Sequence, residues 1–138
     1  PEKIADYCRE TGQPAPENIA ACVRCIYESL ALSYRATLHK LEQLGGDRIE
    51  KLHIVGGGSQ AELLNQFAAN ATNVPVLAGP GECTALGNIL VQAIALGHLP
   101  SHAAAREVVR NSFGLKTFAP QKAAEWDAAA ERFEKLPS

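Results

Sequence analysis

Between Glu17 and Leu44 the apolar residues Ile19, Val23, Ile26, Leu30, Leu38 and Leu41 recur at steps of three and four, with a longer gap at Tyr34, and Gly45-Gly46 follow. That spacing predicts one long amphipathic helix with a glycine stop. Ahead of it, Lys3 to Thr11 reads as a short helix, broken where Gly12-Gln13-Pro14-Ala15-Pro16 forces a turn. After it, Arg48 to Val55 gives a first strand, and Ser59 to Ala71 a helix with Leu63, Leu64 and Phe67 inward. Val74-Pro75-Val76-Leu77 gives a short second strand whose proline suits an edge or a strand start. Glu82 to Leu96 predicts a buried helix rich in alanine and leucine, ended by Gly97. Ala103 to Arg110 is a further helix, Lys116-Thr117-Phe118 a short extended piece, and Lys122 to Leu136 a last amphipathic helix carrying Trp126 and Phe133.

Only two of these segments are convincing strands. Two short strands among about five helices cannot cover their own sheet faces and edges, so the pattern predicts part of a larger α/β sheet domain whose other strands lie upstream of Pro1. Composition agrees with a folded piece: 138 residues that are 46% hydrophobic and 20% charged form a globular chain, not a disordered one. The net charge of −2, without a basic block, argues against nucleic acid as a partner. Charges or prolines interrupt every apolar run before the roughly 20 residues needed to span a bilayer. With no initiating Met and no signal-peptide pattern, the chain is expected to be a portion of a longer cytoplasmic protein.

The candidate chemistry sits at glycines. Leu52-His53-Ile54-Val55-Gly56-Gly57-Gly58-Ser59-Gln60 runs a strand through three residues without a Cβ into a helix start, where backbone N–H groups can approach a bulky anionic ligand. A nucleotide site and a ligand-free tight turn both fit that turn taken alone. Ala78-Gly79-Pro80-Gly81-Glu82 forms a second turn after the second strand. In an open α/β sheet both turns fall at the carboxyl edge, where ligands bind. Glu82 complements a helix dipole, and Gly87 inside the next helix suggests close packing against another backbone. Cys22 and Cys25 lie within the long helix and read as packing residues, and no second Cys/His pair completes a zinc site. If the first two helices fold back as a hairpin, Cys8 and Cys25 come close enough to pair. His39, His53, His98 and His102 have no ligating spacing.

The combination Ile54-Val55-Gly56-Gly57-Gly58-Ser59-Gln60, Leu63-Leu64-Asn65-Gln66, Pro75-Val76-Leu77-Ala78-Gly79-Pro80 and Glu82-Cys83-Thr84-Ala85-Leu86-Gly87-Asn88-Ile89 with Gln92-Ala93 resembles the C-terminal region of the FGGY carbohydrate kinases. The likeness extends to Cys25 through Arg35 and to Phe118-Ala119-Pro120, and covers most of the chain. It implies the helix-rich second half of a ribonuclease H-like (actin-like ATPase) α/β domain with few strands, residues 1–138 being the nucleotide-binding half. The implied reaction moves the γ-phosphate of ATP, with Mg²⁺, to a ketose hydroxyl, L-rhamnulose being the sugar the resemblance favours. Gly56, Gly57 and Gly58 would line the adenosine and its inner phosphates, Gly57 by direct backbone contact. Ser59 and Gln60 would hydrogen-bond the ligand, or Ser59 would cap the helix. The catalytic aspartate and the Mg²⁺ loops of such kinases match nothing here: Asp6, Asp47 and Asp127 read as solvated carboxylates, and the sugar would be held mainly by the region outside this chain. Ala61 stands where relatives commonly carry an asparagine that reaches adenine, and Cys83 and Gly81 also depart from the pattern. A non-catalytic, nucleotide-sensing or structural member of the actin-like superfamily is the alternative; an upstream phosphate loop with an aspartate would distinguish the two.

Overall fold

The computed structural model describes residues 1–137. Helix α1 (Glu2–Glu10) precedes the Gly12–Pro16 turn, and the long helix α2 (Ile19–Gly45) begins where the Asn18 side chain accepts the Ala21 N–H at 2.9 Å. Gly46 ends it in the left-handed conformation, φ 77°, and its N–H closes back on the Glu42 carbonyl. Strand β1 (Leu52–Ile54) leads into a 3₁₀ turn (Gly56–Gln60), then helix α3 (Glu62–Thr72) and strand β2 (Val76–Ala78). Helices α4 (Cys83–Ala95) and α5 (His102–Ser112), strand β3 (Lys116–Phe118) and helix α6 (Ala123–Phe133) complete the order. The sheet runs β1-β2-β3, with β1 parallel to β2 at Leu52↔Val76 and β3 antiparallel to β2 at Val76↔Phe118.

Helix α3 is the centre of the packing. Ala68, Ala69 and Ala71 have no exposed surface, and such small side chains let neighbouring elements close in on two sides. Ala68 and Ala69 meet Val76 of β2, with Leu52, Ile54 and Phe118 beside them. Ala71 joins Ala31 and Leu32 of α2 and Trp126 and Ala130 of α6, with Phe67 tilted against the Trp126 ring at 5.3 Å between centroids. Polar staples tie the same elements. Arg35 donates to the Ala71 carbonyl at 3.1 Å and to Asp127 at 2.6 Å, joining α2, α3 and α6. Gln66 donates to Asn70 Oδ1 and to the Ala119 carbonyl, and the Gln121 N–H donates to Asn70 Oδ1 as well.

The structure corrects several sequence expectations. The first strand is Leu52–Ile54 and not Arg48–Val55, because the Ile49 N–H is taken by the Glu42 carboxylate at 2.8 Å instead of by a neighbouring strand. The extended piece at Lys116–Phe118 is a true third strand, paired antiparallel with β2, a pairing that a local reading could not supply. On α2 the buried positions are Cys22, Ala31, Leu32 and Leu38, so of the predicted stripe only Leu38 is inside. Leu63 is half exposed, since the inward face of α3 runs through Asn65, Ala68, Ala69 and Thr72. Helix α4 buries nothing, and a Cβ placed on Gly87 would meet no atom within 4 Å, so neither the predicted burial nor the predicted close packing is made within this chain.

All four cysteines are free thiols, Cys8 and Cys22 buried. Burial pushes the Cys25 thiol up, the neighbouring Cys8 adds to it, and a side-chain hydrogen bond with Ser29 opposes both; Cys22 and Glu28 add weaker upward pushes. A raised thiol in the fold means that stability is complete below the ordinary thiol value of about 8.5 and falls as pH rises through the folded value, because the unfolded chain loses its proton first. In reducing buffer, the urea midpoint is expected to fall between pH 8 and pH 10 by more in the wild type than in Cys25→Ala; equal falls would contradict the shift.

Trp126 gives a second test. It is nearly buried in the α2–α3–α6 cluster, so Trp126→Ala is expected to cost about 3–5 kcal/mol in urea unfolding followed by circular dichroism. A loss below about 1 kcal/mol would mean that α6 does not anchor α3.

Candidate functional site

Both glycine turns lie at the carboxyl ends of the parallel pair and are bonded to each other. Gly79 N–H donates to the Ile54 carbonyl at 2.9 Å, and Gly56 N–H donates to the Pro80 carbonyl at 3.0 Å, which extends the β1–β2 ladder past the strands. The Gly79–Pro80 peptide is cis. Gly56 has φ +74°, which L side chains rarely adopt, and its carbonyl accepts the Ser59 hydroxyl at 2.7 Å. The predicted helix start at Ser59 is therefore a 3₁₀ turn, with α3 beginning at Glu62, and the Ser59 hydroxyl closes that turn instead of capping an α-helix. Ala61 occupies the N-cap of α3 with no side-chain cap bond.

The three glycines divide by cause. Backbone conformation requires Gly56. Nothing in the fold requires Gly57: its φ is not left-handed, it is exposed, and a Cβ there would meet nothing within 4 Å. Gly58 is also exposed, and its Cβ would make an ordinary contact with Ile54 at 3.6 Å. Two exposed positions without side chains thus lie at the sheet edge.

Ser59 and Gln60 wall a cleft of about 290 Å³ together with Ala78, Gly79, Pro80 and Gly81 from the second turn and Phe113, Gly114 and Lys116 from the approach to β3. Gly56, Gly57 and Gly58 do not line it. The side-chain amide of Gln60 fills the place beside Gly81 where a Cβ would fall at 3.2 Å, so the departure at Gly81 makes room for Gln60. Lys116 pairs with Glu62 across the same rim, and its hydrogen bond first and its charge second hold the exposed Glu62 carboxyl below the usual carboxylate range. That pairing neutralises the one carboxylate in the first turn of α3, a charge that would otherwise repel an anionic ligand.

Local sequence reasoning did not assign Asn65. It is fully buried, and its amide donates to the Ser59 carbonyl at 2.9 Å, which fixes the end of the glycine turn onto the first turns of α3. Among the described residues its Oδ1 has no hydrogen-bond partner, which marks an unusually demanding position for a buried amide. The one available signal was an amide near the start of the helix, one turn ahead of Ala68 and Ala69 on its buried face. Phe113, Gly114 and Lys116 were missed for a different reason: only the pairing of β3 with β2 carries them to the site. Among the described residues, no group of three or more His, Cys, Asp or Glu side chains converges as a metal site.

Comparison with known proteins now identifies the family. Residues 3–96 match the FGGY family of carbohydrate kinases, C-terminal domain. The chain is similar to the rhamnulokinase of Bacteroides thetaiotaomicron, 50% identical over 133 residues, which are 96% of this chain and 27% of that protein. It is 44% identical to the rhamnulokinase of Pectobacterium atrosepticum over 98% of this chain and 27% of the relative, and 53% identical to that of Enterococcus faecalis over 84% and 24%. The chain therefore belongs to the FGGY family of carbohydrate kinases and spans about a quarter of the length of these relatives.

The division of the glycines gives a stability test. Gly56→Ala forces a Cβ into left-handed backbone and is expected to cost about 1–2 kcal/mol. Gly57→Ala is expected to be neutral or up to about 1 kcal/mol stabilising, through the unfolded chain. Thermal melts of both variants decide this; equal losses would make Gly57, like Gly56, a requirement of the fold.

Proposed function

We propose that this member of the FGGY family supplies the ATP-binding part of a sugar kinase whose acceptor is L-rhamnulose. The observation that carries the reading is Gly57, exposed, unstrained and unneeded by the fold, at the carboxyl edge of a parallel strand pair. A ligand whose bulk lies against that backbone explains why a side chain is missing there. In this reading Gly56, Gly57 and Gly58 face the adenosine and inner phosphates through main-chain atoms. Gln60 presents its amide to the ligand from the rim, and Ser59 holds the turn's shape with its hydroxyl. Ala61 leaves adenine without a side-chain hydrogen bond at that position, so purine selectivity falls to other groups.

The chemistry proposed for the full-length protein is in-line phosphoryl transfer. The sugar hydroxyl oxygen bonds to the γ-phosphorus while the bond from that phosphorus to the β–γ bridging oxygen breaks and ADP departs. The hydroxyl proton goes to a base, and bound Mg²⁺ would offset the phosphate charge; both are assigned to the region outside this chain. The part played by residues 1–138 is binding and orientation, within a ribonuclease H-like domain. Among the described residues no helix is long and apolar enough to cross a membrane. A cytoplasmic location belongs to this reading through the kinase family. Rhamnulose is chosen because the three relatives described are all named rhamnulokinases.

A chimaera in which this chain replaces the matching region of the Bacteroides thetaiotaomicron relative provides the full-length context. In a coupled ADP-release assay the chimaera is expected to turn over L-rhamnulose with ATP and Mg²⁺, and the isolated chain is not. ATP bound by the chimaera without turnover on any ketose would favour a nucleotide sensor instead. Gly57→Val in the chimaera is expected to weaken ATP at least tenfold in isothermal titration, about 1.4 kcal/mol, with its melting temperature nearly unchanged. An unchanged dissociation constant in a folded variant would remove Gly57 from the site.

A further inference from the structure

We infer that the cleft between Gln60, the second glycine turn and the approach to β3 is a binding site for a phosphate group carried on a small carbon skeleton. Of the residues that wall it Lys116 alone is charged, and no carboxylate is among them. Gly56, Gly57 and Gly58 lie outside it, so the site is separate from the bare backbone proposed for the nucleotide. A second cleft, between α2 and the end of α3, differs in this respect. There Arg35, His39 and Arg48 share the lining with Glu42 and Asp127, and Arg35 already pairs with Asp127, so the charges answer one another. Only the first cleft presents a single sign.

Strand register places the cation. Lys116 lies opposite Ala78 on β2, which carries it to the second turn. Its partner Glu62 is held across the rim by a pair whose side chains are 66% and 62% exposed. Solvent screens such a pair and it adds little to stability, so an incoming anion can take the ammonium at small cost. That ammonium brings three donors on a flexible stem, which suits a group with several acceptor oxygens. Further donors stand beside it. The Gln60 amide nitrogen lies against Gly81, and neither it nor the main-chain N–H groups of Gly81 and Gly114 donate to a protein acceptor among the described residues. Pro80 and Phe113 add apolar wall. The cleft, about 290 Å³, is close to the smallest cavities that hold whole small ligands, roughly 300 Å³, so it has room for the carbon skeleton as well as the phosphate. The phosphate has two possible sources, the nucleotide that lies on Gly57 or a separate phosphate ester.

Isothermal titration of the chimaera with inorganic phosphate, ATP and adenosine tests the site. Phosphate binding is expected to weaken about tenfold or more in Lys116→Met, which keeps the apolar stem and removes the charge. Glu62→Gln frees the ammonium and is expected to tighten phosphate about twofold or more. Both residues are exposed, so each variant is expected to melt within about 2 °C of its parent. If Lys116→Met also weakens ATP and spares adenosine, the phosphate is the nucleotide's own, a source that rests on the function proposed above. If ATP is unaffected and phosphate still binds at saturating ATP, the occupant is a separate phosphate ester; either result supports the site. A phosphate constant unmoved by Lys116→Met, or not tightened by Glu62→Gln, overturns it. A chimaera that binds phosphate through Lys116 but binds no ATP overturns the nucleotide reading and leaves this site standing.

Discussion

Everything in this chain depends on how closely other elements can approach α3. Three alanines with no exposed surface, at 68, 69 and 71, place the sheet on one side of the helix and α2 with α6 on the other. A larger side chain at any of them would force the layers apart, because interiors packed at crystal density have no room to absorb it. The same helix carries Asn65 near its start, whose amide holds the Ser59 carbonyl, so the position of the glycine turn is set by the packing of α3. Core and site are one construction.

That coupling explains why the glycine turn has its particular shape. The strand ladder continues beyond β1 and β2 through Gly56 to Pro80 and Gly79 to Ile54, which brings both turns to one edge. Gly56 makes the bend, and the Ser59 hydroxyl and the Asn65 amide then fix the two ends of the 3₁₀ segment. Gly57, between these anchors, has neither a conformational nor a steric reason to be glycine. The fold thus presents a stretch of bare backbone on a rigid support, which is what recognition of a large flat or phosphorylated ligand by main-chain groups requires.

Where the physics is local, the sequence was readable. The three-and-four spacing and Gly45-Gly46 located α2 and its end, and the two strand-to-glycine transitions located the carboxyl edge and the residues now proposed for the nucleotide. Where the physics is nonlocal, it was not. Lys116–Phe118 becomes a strand only through β2, so the side of the cleft formed by Phe113, Gly114 and Lys116 had no signature of its own. Ser59 resembles a helix cap by residue type, yet its hydroxyl goes to Gly56 because the chain makes a 3₁₀ turn before α3 starts. For α4, apolar composition announced a need for burial without saying what would provide it. The stripe read on α2 failed in part for a related reason: Ile19 and Leu41 are apolar and exposed here, and the buried face is shifted onto Ala31, Leu32 and Leu38.

The central claim is that bare backbone at Gly57 exists to admit a nucleotide. A crystal structure of the chimaera with a non-hydrolysable ATP analogue tests it most directly. The account expects the nucleotide in van der Waals contact with the Gly57 backbone, at about 4 Å, with Gln60 on the same side of the ligand. An analogue bound elsewhere, with the whole of Gly56 to Gln60 facing solvent, would contradict it.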